Sequence, residues 1–311
     1  MTRFDHPTPT VKTTQGAVAV EGNVTERLET AIRDSKAPAT VRAYRAAWRK
    51  WEGWATQHGA TAMPAQPDAV ALFLAKRAEE GMSVPSLRLA VAAIAAAHDA
   101  AGHANPCADR VVKTAMKGLV RQAAQEGPTQ RQAAALTVDA VASIRHALGD
   151  CGTPVKARDM AIVSLLACTG LRRSEAAALD WSQVGTEADG SGRLTVTRSK
   201  TDQEGEGAVV AVTSAAMRDL ERWAELQGQG RTGSVFGLSG RQVSRRVADC
   251  AKAAGLGDGF SGHSGRVGMA ITMLRNQAPS AAIMRQGRWN SERMISRYGR
   301  NETAGEALRY L

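Results

Sequence analysis

Apolar residues recur at helical spacing through almost the whole chain and give way to a period of two at one place only. This confines the fold to a mainly α architecture with one small β element. The exception is Leu194-Thr195-Val196-Thr197, which alternates apolar and polar residues, followed by the apolar run Val209-Val210-Ala211-Val212. The stretch 199–207 between them is polar and glycine-containing, so the pattern predicts a β-hairpin. Helical spacing also breaks at Glu126-Gly127-Pro128-Thr129-Gln130, where Gly-Pro ends one helix and resists starting another. A chain of 311 residues is longer than one core comfortably serves. The expected organisation is therefore a mobile tail over 1–22, a helical domain over 23–125, a linker at 126–130 and a second domain over 131–311.

Several function classes drop out. Cys107, Cys151, Cys168 and Cys250 form no C-x-x-C pair, which predicts neither a zinc site nor a disulfide framework and suits a reducing cytoplasm. No two histidines sit four apart on a helical face, so no metal is expected. The longest purely apolar run, 89–97, is nine residues, far short of the ~20 that cross a bilayer. The opening MTRFDHPTPT lacks the apolar core of a secretory signal. With no P-loop and no dinucleotide fingerprint, no cofactor is expected either.

The charge balance, 40 Lys and Arg against 30 Asp and Glu, leaves +10 and points to a polyanionic partner. On a helix over 40–57, Arg42, Arg45 and Arg49 share one face, while Tyr44, Trp48 and Trp51 share another. Lys113, Lys117 and Arg121 form a second basic stripe; Arg241, Arg245 and Lys252 form a third, opposite Val243, Val247 and Cys250. One such stripe is ordinarily a solvated face. Three, divided between two domains, suit a clamp on duplex DNA, because each phosphate neutralised by Lys or Arg releases counterions. A membrane-binding helix would need a broad apolar face left bare beside the charge, whereas the large aromatics here suit core packing.

A second constellation carries chemistry. Thr169-Gly170-Leu171-Arg172-Arg173-Ser174-Glu175 follows the apolar segment 161–168; Gly170 can end that helix and start another, setting Arg172 and Glu175 close together. Downstream stand His263-Ser264-Gly265-Arg266, then Trp289 and Tyr298 nine residues apart. Taken singly, each has a plain structural reading: a surface arginine, a structural histidine, a core tryptophan. As an ordered series they resemble the tyrosine recombinase (phage integrase) family, most closely its Cre-like branch, over about 23–311.

The resemblance implies a two-domain, C-shaped DNA clamp, mainly α with a small β-hairpin or sheet in the catalytic domain. It assigns catalytic places to Arg172, Glu175, Lys200 of the hairpin, His263, Arg266, Trp289 and the nucleophile Tyr298. Where the family commonly has a Gly-His pair, this chain has Arg288-Trp289, and Trp is the Cre-like variant. Arg241 stands at a base-reading position, and arginine is the usual bidentate reader of guanine. Tyr44 belongs to the packing face of the first domain, and Tyr310 lacks the nine-residue spacing.

The residue types fit the reaction. A tyrosine of pKa near 10 is only about 0.1% ionised at pH 7. Arg172 and Arg266, joined by the Trp289 indole N–H, would neutralise the phosphate and favour a phenolate. Lys200 suits protonation of the departing 5′-oxygen. Glu175 suits holding an arginine or histidine in place, and His263 suits either proton transfer from Tyr298 or orienting the phosphate. The implied product is a 3′-phosphotyrosyl link whose energy is kept for rejoining without ATP or metal. The apolar stripe Ala304, Ala307, Leu308 and Leu311 implies a terminal helix docked on a neighbouring protomer or on its own domain. The implied assembly is a tetramer on double-stranded DNA, monomeric when free and associated with the nucleoid. The alternatives are a type IB topoisomerase, which relaxes DNA without exchanging strands, and a non-enzymatic regulator derived from an integrase.

Overall fold

In the computed structural model the described residues are 37–127, 132–197, 207–228 and 230–306, with side chains to residue 299. The tail expected at 1–22, most of the expected linker, Lys200 and the stripe residues Ala307, Leu308 and Leu311 lie outside them, as does the Ala304 side chain. The chain divides into two compact units, residues 1–131 and 132–311.

The described part of the first unit holds α1 (Pro38–Gln57), α2 (Pro67–Glu79), α3 (Val84–Ala100) and α4 (Arg110–Gln125). The first three carry proline in their opening turn, where its missing N–H costs no helical hydrogen bond. The Asp109 side chain caps α4 by accepting the Val111 N–H. Trp48, Trp51 and Ala55 of α1 point into a core with Phe73 and Leu74 of α2 and Leu87 and Ile94 of α3. Trp51 meets Phe73 edge-on at 5.3 Å and satisfies its indole N–H on the Ala62 carbonyl at 3.1 Å. His98 is buried with both ring nitrogens engaged, one donating to the Ile94 carbonyl at 2.8 Å, the other accepting from the Ala65 N–H at 2.9 Å.

The second unit runs α5 (Val138–Leu148), α6 (Pro154–Thr169), α7 (Arg173–Ala177), β1 (Val184–Thr186), β2 (Gly192–Val196), β3 (Ala208–Val212), α8 (Ser214–Leu226), α9 (Gly240–Ala253), α10 (Ser264–Arg275), α11 (Ser280–Gly287) and α12 (Arg293–Glu306). Its axis is α6, buried on nearly every side because α5, α8, α9 and α10 all pack on it. That accounts for its continuous apolar sequence, Ala161 to Leu166 broken only by the buried Ser164. Asp159 on the same helix is buried too, and burial raises its carboxyl pKa even though Arg246 and Arg158 each lie 3.3 Å away.

The β element is larger than the sequence pattern predicts. The two expected strands are β2 and β3, paired antiparallel with Leu194 opposite Val210, and β1 adds a third strand with Val184 opposite Leu194. Leu194, Val196, Val210 and Val212 face the core, so the period of two is the burial pattern itself. Three residues, Val184-Gly185-Thr186, are too few to display that period, which is why β1 escapes sequence reading.

Two glycines let α10 approach its neighbours backbone to backbone. A Cβ on Gly265 would strike the Leu166 carbonyl of α6, and one on Gly268 would strike the Leu136 carbonyl. We expect Gly265→Ala to destabilise the fold by about 1–3 kcal/mol, the usual cost of overpacking. A thermal melt unchanged from wild type would show that α10 slides freely along α6.

Candidate active site

The site begins where α6 ends. Gly170 adopts the left-handed conformation (φ 58°) and donates its N–H to the Leu166 carbonyl at 3.0 Å, closing the helix. Thr169 steadies the turn by donating its hydroxyl to the Leu165 carbonyl at 2.6 Å and accepting the Leu171 N–H at 3.3 Å. Leu171 is buried, and the chain leaves it extended at Arg172, the residue before α7. Glu175 then folds back: one carboxylate oxygen accepts the Arg172 N–H at 2.8 Å, the other the Arg172 guanidinium at 2.6 Å. The expected neighbourhood of Arg172 and Glu175 is thus a doubly bonded pair whose carboxylate is buried.

From the opposite side, α10 brings His263 at its start and Arg266 one turn on. Arg266 is 2% exposed and donates to the Gly170 carbonyl at 2.9 Å and to the Gly287 carbonyl. Burial and the nearby Arg172 and Arg288 lower its pKa to about 10, so it remains a cation at neutral pH, though a crowded one. Its guanidinium lies 4.9 Å from the centre of the Trp289 ring, which in turn lies 5.4 Å from the Tyr298 ring. The Trp289 indole N–H is buried with no hydrogen-bond partner among the described residues. Tyr298, on α12, places its hydroxyl 2.8 Å from Nε2 of His263. Desolvation, then the positive charges of Arg266, Arg297 and Arg172, lower the His263 pKa, so at neutral pH its ring is uncharged and can accept the tyrosine proton.

The structure therefore gathers Arg172, Glu175, His263, Arg266, Trp289 and Tyr298 around one spot. It adds a residue that sequence reading passes over, Arg288, whose guanidinium donates at 2.8 Å to Oε2 of Glu175, the oxygen that also accepts the Arg172 N–H. It also adds Gln286, which joins α11 to the Cys168 carbonyl at 3.0 Å and to both backbone groups of Ala211 in β3. Arg288 stands where the family commonly has the glycine of its Gly-His pair, which marks the position but gives no sign of its role. Gln286 gives no sequence signal.

The basic stripes sit on the outside of their own units. Arg42, Arg45 and Arg49 are exposed on α1, opposite buried Trp48 and Trp51. Lys113, Lys117 and Arg121 are exposed on α4, opposite buried Val112. Arg241, Arg245 and Lys252 are exposed on α9, opposite buried Val243, Val247 and Cys250, with Arg245 reaching Asp249 at 3.8 Å. Among the described residues no group of three His, Cys, Asp or Glu is placed to hold a metal, and no helix is long and apolar enough to cross a membrane.

Comparison with known proteins supplies the context. Residues 28–105 match the phage integrase N-terminal SAM-like domain. The chain is 29% identical to an integrase/recombinase xerD homolog of Selenomonas ruminantium, over 86% of this chain and 83% of that one. It is 22% identical to the recombinase cre of Escherichia phage P1, over 81% of each. Its fold is similar to that of a lambda integrase tetramer bound to a Holliday junction, with a TM-score of 0.57 at 18% identity over 89% of this chain and 76% of that one. Residues 134–304, more than half of the chain, match the phage integrase family, and the protein belongs to that family of tyrosine recombinases.

Proposed function

We propose that the protein is a site-specific recombinase that cleaves double-stranded DNA through Tyr298 and rejoins it to a different strand. The observation that carries this is the Tyr298 hydroxyl bonded to an uncharged His263 beside a cluster of buried arginines. His263 takes the phenolic proton as the oxygen attacks phosphorus. The bond to the 5′-oxygen breaks, and the DNA 3′-phosphate becomes esterified to the tyrosine. Arg172, Arg266 and the unpartnered Trp289 N–H hold the non-bridging oxygens, with Glu175 positioning Arg172. Lys200 protonates the leaving 5′-oxygen. Attack by a 5′-hydroxyl from a second strand reverses the chemistry and completes exchange.

Arg42, Arg45, Arg49, Lys113, Lys117, Arg121 and Arg245 serve as phosphate contacts on the two domains, and Arg241 reads a base. We assign a tetramer on DNA, consistent with the tetrameric lambda integrase of similar fold. The test is a nicked suicide substrate from which the 5′-hydroxyl fragment escapes. A covalent adduct mapped to Tyr298 supports the reading, and no adduct on any candidate site would favour a DNA-binding regulator. Supercoil relaxation without strand exchange between two sites would favour the topoisomerase alternative.

The histidine gives this reading a pH signature. Only uncharged imidazole accepts the Tyr298 proton, and its pKa lies below the ordinary 6.5. Adduct formation should therefore stay level from pH 8 down through 7 and fall about tenfold per pH unit only once the pH drops beneath that lowered value. His263→Gln should be slower and lose this acid limb. A wild-type limb centred above pH 7 would show that some other group accepts the proton.

A further inference from the structure

Arg288 is unusual on three counts. Its backbone is left-handed (φ 52°, ψ 54°), a conformation that glycine adopts freely and arginine does not. Its side chain is only 6% exposed, and that much buried charge persists only where partners hold it. Those partners are functional ones: Nη2 donates to Glu175 at 2.8 Å and to the Gly170 carbonyl at 3.3 Å, while Nη1 donates to the Gln286 carbonyl at 3.3 Å. Strain at a non-glycine left-handed residue is of order 1–3 kcal/mol and survives where the surroundings over-determine it.

Charge explains what this arrangement accomplishes. Glu175 bonds Arg172 through both the backbone and the guanidinium. Left alone, that carboxylate would cancel most of the positive charge with which Arg172 meets a phosphate. Arg288 joins the Arg172 N–H on Oε2 while the Arg172 guanidinium holds Oε1, so one negative group is shared between two guanidiniums, with Arg266 alongside. Three guanidiniums against one carboxylate leave this cluster net positive. The non-bridging oxygens of the phosphodiester gain negative charge as the pentacovalent transition state forms, so a guanidinium cluster that stays net positive stabilises that state more than the bound substrate. From this we infer that Arg288 is a positioning residue for DNA cleavage: it holds Glu175 so that this carboxylate orients Arg172 without neutralising it. The inference rests on the recombinase reading above and adds a residue to it.

The experiment compares wild type with Arg288→Gly, a substitution that suits the left-handed backbone and so preserves the turn. Each is tested on a suicide substrate with an ordinary scissile phosphate and on one with a methylphosphonate, which lacks one negative charge. On the phosphodiester, Arg288→Gly should form adduct about 30- to 100-fold more slowly with DNA affinity nearly unchanged, the pattern of a group that acts on the transition state. On the methylphosphonate, the difference from wild type should shrink to about threefold or less, because one less charge needs balancing. A merely structural role would slow both substrates equally, and that result overturns the inference, as does a wild-type rate on the phosphodiester. A wild-type protein that forms no adduct with either substrate overturns the recombinase reading and this inference together.

Discussion

Tyr298→Phe should abolish covalent attachment to DNA, by more than about 10⁴-fold, while binding affinity and folding stay near wild type. The substitution removes one oxygen and nothing else. The ring keeps its place against Trp289, 5.4 Å away, and its burial on α12. The hydroxyl's partner is the His263 ring, so the stability cost should be that of one net hydrogen bond, about 1 kcal/mol. The other two tyrosines serve as controls: Tyr44 lies on α1 in the first unit, and Tyr44→Phe and Tyr310→Phe should each form adduct at the wild-type rate. The measurement is a gel-shifted protein–DNA adduct in denaturant. Its persistence in Tyr298→Phe would move the nucleophile elsewhere and dismantle the proposed chemistry.

Arg266→Ala should damage both rate and fold, and the two losses can be separated. The arginine joins three elements, because it binds the Gly170 carbonyl at the end of α6 and the Gly287 carbonyl at the end of α11 from its own place on α10. Alanine takes the Arg266 donor from the Gly287 carbonyl and leaves the Gly170 carbonyl only its longer bond from Arg288 at 3.3 Å, a cost of about 1–3 kcal/mol partly offset by relief of crowding among Arg172, Arg266 and Arg288. The melting temperature should fall accordingly. Cleavage should fall further, by about 10³-fold, since a preorganised donor for the developing phosphorane charge is gone. Arg266→Lys keeps a charge but not the forked donor geometry, so it should recover stability better than rate. Equal loss of DNA affinity and cleavage in Arg266→Ala would place this arginine in ground-state binding instead.

The helical organisation was readable because periodicity and punctuation agreed. Pro38, Pro67 and Pro85 mark helix starts, and Gly170 marks the end of α6 with the left-handed residue that such an end requires. The ordered series from Arg172 to Tyr298 was readable because reaction chemistry constrains residue type as well as spacing. Arg288 was not, since one more arginine in an arginine-rich segment looks like surface charge until its partner, Glu175, appears across the fold. Nor was the full occupation of Glu175, whose contacts come from its own turn and from Arg288, more than a hundred positions away. Such couplings belong to tertiary packing, which local pattern does not encode.

Gln286 has a consequence for how copies of this protein can meet. β3 is an outer strand, and the outer side of such a strand offers bare N–H and C=O groups to any extended chain that approaches. The Gln286 amide answers both groups of Ala211 at once, accepting from the N–H at 3.1 Å and donating to the carbonyl at 2.8 Å. A single side chain thus fills the place of a fourth strand and seals that stretch of edge. For a protein proposed to gather as four copies at high local concentration on DNA, the seal closes a route to unwanted sheet-to-sheet fusion, and orderly assembly must be specified by other surfaces.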